Sequence, residues 1–79
     1  MPDLRTRASF VRLDGRRLRH GLAVRGVAAR DLALEARIHP QTVYAALAGK
    51  HVSLVSARRI VLALARLPVV EGLAELVSE

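Results

Sequence analysis

Gly26 to Gly49 reads G-V-A-A-R-D-L-A-L-E-A-R-I-H-P-Q-T-V-Y-A-A-L-A-G, and the elements on either side follow from it. Leu32, Ala33 and Ala36 recur at helical spacing from a start near Ala29, with Asp31 in the first turn, where the helix dipole favours an acid. Arg37, Ile38 and His39 interrupt the period. Pro40 then opens a second helix, because the amide proton that proline lacks falls where no intrahelical bond is made, and that helix ends before Gly49. Helices joined so tightly must cross steeply, and the crossing needs a small side chain, which Ala33 supplies. Leu32, Ile38, Val43 and Leu47 then fall on the inner faces and close a small core beneath the turn.

Toward the amino terminus, Asp14 is placed to cap a helix from about Gly15 to Arg25, with Leu18 and Leu22 four apart and Gly26 ending it. Phe10 to Leu13 alternates too briefly to be more than an extended lead-in, and Met1 to Ser9 has no helical period. Residues 1–13, which include Arg5 and Arg7, are therefore expected to be a flexible basic arm, and residues 14–79 one domain. Toward the carboxyl terminus, Ser53 is placed to cap a helix from Leu54 to about Leu67, which Pro68 breaks. Val69, Leu73, Leu76 and Val77 share one face of a fifth short helix. The expected fold is all-α, with five short helices.

Seventy-nine residues support one core. With 52% apolar residues but only 3% aromatic ones, that core is built from Leu, Val, Ile and Ala, as between short helices. The absence of cysteine excludes disulfides, thiolate zinc sites and a cysteine nucleophile. The longest apolar run, Ile60 to Ala65, is far below the roughly 20 residues of a membrane span, and the amino terminus has no apolar signal core; a soluble cytoplasmic protein is expected. Residues 1–68 hold all 13 bases against four acids, a net of +9, whereas residues 69–79 hold three acids and no base. A basic body points to a polyanion, because each phosphate neutralised releases condensed counterions. Twelve of the bases are Arg, which suits bidentate contacts to phosphate or guanine.

Leu32-Ala33, Ile38, His39, Thr42-Val43 and Gly49, in that order, resemble the helix-turn-helix of the Cro and CI phage-repressor family, also called the Xre family. The likeness extends from Leu18 and Leu22 to Ser53, Ser56, Ile60, Ala63 and Leu64, so it covers roughly residues 14–77. Two positions depart from the family pattern: Arg37 stands where the turn usually has Gly, and Ala28 where the second helix usually has a Ser or Thr cap. The resemblance implies a lambda-repressor-like domain that binds double-stranded DNA through the helix 40–48 and regulates transcription, as a repressor near the nucleoid of a prokaryote or phage. It also implies a homodimer on a palindromic site, presenting two recognition helices about 34 Å apart.

If that helix reads DNA, periodicity turns Val43, Ala46 and Leu47 inward and Gln41, Ala45 and Ala48 outward, flanked by Thr42 and Tyr44. Gln41 is the expected base reader, since its amide can match the N7 and N6 edge of adenine. Thr42 and Tyr44 could meet phosphate or a thymine methyl, and Tyr44 could equally just cover the helix edge. Ala45 offers a methyl contact. His39 stands at the cap of the reading helix. Lys50 and His51 follow it, and Ser53 opens a helix whose free amides could receive phosphate. Arg16, Arg17 and Arg30 are further candidate clamps, although for any single Arg a solvated face is the commoner explanation.

His20, His39 and His51 have no metal-ligand spacing, and no nucleophile motif or glycine-rich phosphate cradle is present, so neither an enzyme nor a metal, cofactor or small-molecule substrate is expected. The rival class is a protein-interaction module, such as an antitoxin or an accessory subunit. Leu62, opposite Ile60 and Leu64, with Val70, Leu73 and Val77, are the candidate interface residues for a second copy or another partner.

Overall fold

The computed structural model describes residues 9–77. They form a mostly helical domain of five helices with one small two-stranded sheet. In chain order the elements are β1 (Phe10–Arg12), α1 (Gly15–Arg25), α2 (Ala29–Ala36), α3 (Pro40–Leu47), β2 (His51–Ser53), α4 (Leu54–Arg66) and α5 (Leu73–Leu76).

Three of the first four helices begin at a residue whose side chain binds an amide of the first turn. The Asp14 carboxylate accepts from the Arg17 amide at 3.1 Å, and the Ser53 hydroxyl from the Ser56 amide at 3.0 Å. Ala28 offers no side-chain acceptor, yet the Asp31 carboxylate reaches back to the Ala28 amide at 2.9 Å and so restores half of a reciprocal cap. Gly26 ends α1 in the left-handed region at φ 65.

The core gathers around Leu32, Val43 and Ile60, the largest side chains that are wholly enclosed. Leu18 and Leu22 of α1, Ala33 and Ala36 of α2, Ala46 of α3, Val52 of β2 and Ala57 and Ala63 of α4 complete it. Small residues let the helices come close: Ala33 is 1% exposed where α2 meets its neighbours, and Gly21 lies where a Cβ would stand 2.9 Å from a methyl of Leu64. Arg25 ties two helix ends together. Its Nε donates to the carbonyls of Leu64 and Leu67, each at 2.9 Å, so that a cation occupies the carbonyl end of α4, where the helix dipole favours one.

Three expectations change. The segment Phe10–Arg12 is a strand and not the end of a loose arm: it pairs antiparallel with β2 in the register Phe10↔Ser53, Val11↔Val52, Arg12↔His51. The part of the expected arm before Ser9 lies outside the described residues. β2 itself replaces a plain connection, because Val52 is drawn into the core and sets its neighbours in extended backbone. The fifth helix is one turn, Leu73–Leu76, rather than Val69 to Val77; it contains no buried residue, and Leu76 is 82% exposed. Without an apolar partner for most of its face, so short a segment does not propagate as helix.

Candidate nucleic-acid interface

α3 is fixed from below. Val43 and Ala46 are both wholly buried, and Thr42 and Leu47 are half-buried on either side of them. The opposite side carries Gln41, Tyr44 and Ala48, all exposed, with Tyr44 at 53%. These positions follow i, i+3, i+7 spacing and so form one stripe along the helix. Ala45, expected on that stripe, is instead half-buried and packed against the core, as Leu47 is on the other side. Tyr44 takes the central place that Ala45 was given.

The turn into α3 is built by two residues. Arg37 adopts φ 57, ψ 46, the left-handed conformation that a side chain resists, and is the sole non-glycine with positive φ among the described residues. In return the amides of Arg37 and Ile38 donate to Leu34 at 3.2 Å and Ala33 at 3.0 Å, closing the carbonyl end of α2. The Arg59 guanidinium reaches the Arg37 carbonyl at 3.4 Å. His39 then caps α3, its Nδ1 accepting from the Gln41 amide at 3.1 Å. An acceptor at Nδ1 leaves Nε2 to carry the ring proton, on a side chain exposed to solvent.

Arg16, Arg17, Arg30, Lys50 and His51 are all exposed. Arg17 leans on Asp14 at 3.7 Å, yet 89% of its side chain remains in solvent. Ser53 is half-buried at the start of α4. Its hydroxyl accepts from the Ser56 amide and donates to the Ser56 hydroxyl at 2.8 Å, while the Leu54 amide donates to the Ser9 carbonyl. The Ser53 hydroxyl and the amides of Leu54 and Ser56 thus have partners within the chain.

The candidate interface residues divide. Leu62 and Val70 are exposed, but Leu73 and Val77 are half-buried, and Leu73 lies against Gly26 at the end of α1. Leu62 borders a largely apolar groove of about 400 Å³ between β1 and α4, lined also by Val11, Leu13, Leu54, Ala57 and Val61, with Arg58 as its one charged residue. Among the described residues no cluster of His, Asp or Glu could hold a metal ion, and no helix is long and apolar enough to cross a membrane. Comparison of the chain with protein-family models, with curated proteins and with solved structures finds no match.

Proposed function

We propose that this protein is a sequence-specific double-stranded DNA-binding regulator of transcription, of the helix-turn-helix class that the Cro and CI repressors define, acting in the cytoplasm at the nucleoid. In this reading α3 enters the major groove and Gln41 contacts a base edge, Tyr44 lies against the sugar-phosphate wall or a thymine methyl, and Ala48 leaves room for the backbone to approach. The single observation that carries the reading is the placement of α3: anchored by Val43 and Ala46, it presents Gln41, Tyr44 and Ala48 outward on a rigid element. The net charge of +9 over residues 1–68 supplies the sequence-independent attraction. One such helix makes few base contacts, so the protein works as a homodimer on an inverted repeat.

Selection from a pool of random duplexes tests this. A short inverted repeat should be enriched, with affinity falling steeply as salt rises. Gln41→Ala should relax preference at one base pair per half-site, at a cost of about 1–3 kcal/mol, whereas Lys50→Ala should weaken all sequences alike. A second reading, a protein-interaction module such as an antitoxin, is favoured by the apolar groove beside Leu62. A pool with no enriched sequence, together with a protein that co-purifies stoichiometrically and contacts Leu62, would replace the first reading with the second.

A further inference from the structure

Three segments that are distant in sequence meet at the carboxyl end of α3. The ribbon sets Arg12 directly opposite His51. Directly opposed residues share one face of a sheet and successive residues alternate between faces. Arg12 and His51 accordingly stand together on the outer face, both exposed, while Val11 and Val52 turn inward. Lys50, also exposed, immediately precedes His51, and its amide is held by the Ala45 carbonyl at 3.0 Å, which fastens the start of the ribbon to α3. Gly15 lies so close to the end of α3 that a Cβ there would collide with the Leu47 carbonyl oxygen. That contact brings the first turn of α1, with the exposed Arg16, to the same corner.

Asp14 is the acid nearest in sequence to Arg12 and Arg16, and Arg17 engages it through both its amide and its guanidinium. Among the described residues Arg12, Arg16, Lys50 and His51 are held by no carboxylate. Lys50 and His51 follow α3, where a cation offsets the dipole of the helix end. That role would be complete with Lys50 alone, and it gives no reason for Arg12 to stand across the ladder from His51. Several N–H donors gathered on one exposed corner match the oxygens of a phosphodiester, which accepts hydrogen bonds from many directions.

We propose that Arg12, Arg16, Lys50 and His51 form a phosphate-binding corner, with Arg12 of β1 as its outermost member. It grips the DNA backbone at the flank of the stretch read by α3. The proposal rests on the DNA-binding reading above and adds to it a second, sequence-blind contact that depends on the ribbon. The strand is then part of the binding surface, and the register Arg12↔His51 is what aligns it.

The test uses the full chain, the inverted repeat enriched by selection, and a duplex of unrelated sequence. Arg12→Gln keeps the reach of the side chain and removes its charge; Arg12→Lys restores the charge. Arg12→Gln should weaken both duplexes several-fold by the same factor, and the slope of log affinity against log salt should become shallower by about 1. Arg12→Lys should recover the slope. Should Arg12→Gln lower the melting temperature, Arg16→Gln gives the same readout, since that exposed side chain makes no bond within the described chain. An unchanged slope in Arg12→Gln, or in Arg16→Gln where Arg12→Gln destabilises the fold, with Gln41→Ala still relaxing base preference, overturns the corner and leaves the DNA reading standing. Failure of the unaltered protein to bind either duplex removes both.

Discussion

The turn that joins α2 to α3 and the tail that carries α5 are both short helical segments rich in Leu, Ala and Val, and they end up very differently. In the first, Leu32, Val43 and Ala46 are wholly enclosed, and the strained Arg37 is tolerated because the amides around it close the carbonyls of α2. In the second, one turn of helix with no buried residue rests on α1 through Leu73, and a backbone bond from the Val70 amide to the Val24 carbonyl at 2.9 Å holds its start. Periodicity alone does not separate the two; a partner surface does. A short helix is stabilised chiefly by the apolar face it buries, and only slightly by its own propensity.

That contrast can be broken most directly in the core. Leu32→Ala should cost about 2–5 kcal/mol in chemical denaturation, since it leaves a cavity where no side chain can follow. Gly15→Ala comes next, at about 1–3 kcal/mol, because the colliding atom belongs to the Leu47 backbone and cannot rotate away. Arg37→Gly should act in the opposite sense and stabilise by up to about 1 kcal/mol, as the left-handed residue loses its penalty while its carbonyl contact to Arg59 remains. Smallest of all, Leu76→Ala should fall within about 0.5 kcal/mol of the unaltered protein. Amide hydrogen exchange sharpens the same comparison: the amides of α3 should exchange only with global unfolding, and those of α5 nearly freely. A Leu76→Ala loss as large as that of Leu32→Ala would show that the tail is packed against something, such as a second copy.

Much of this architecture was legible in the sequence because its breaks are marked by residues with a single physical meaning. Gly26, Pro40 and Ser53 each stand where a helix ends or begins, and Pro68 follows closely on the end of α4. The helices between them are those the spacing of Leu, Ile and Ala implies. The ribbon was not legible. The stretch from Phe10 to Leu13 is too short to be told from a coil, and the partner strand is recognisable only once Val52 is known to be buried. The candidate reading face was legible to within a small rotation of α3. Gln41 falls where the period puts it, while Tyr44 and Ala45 exchange roles because the half-buried Thr42 shifts the inner face. The donation of the Leu54 amide to the Ser9 carbonyl depends on which donor meets which acceptor, and no spacing rule carries that.

The ribbon also has a temporal side. Among the described elements β1 comes ahead of the helices, yet Val11 must wait for Val52, so during translation it cannot pair with β2 until α1, α2 and α3 have all left the ribosome. Closing so long a loop costs little more entropy than closing a shorter one, but it must come late. A nascent chain halted just after Gly49 lacks both Val52 and Ile60, so its first strand has no partner and its short helices no α4 to bury their apolar faces against; ribbon and core close together, once β2 and α4 have emerged.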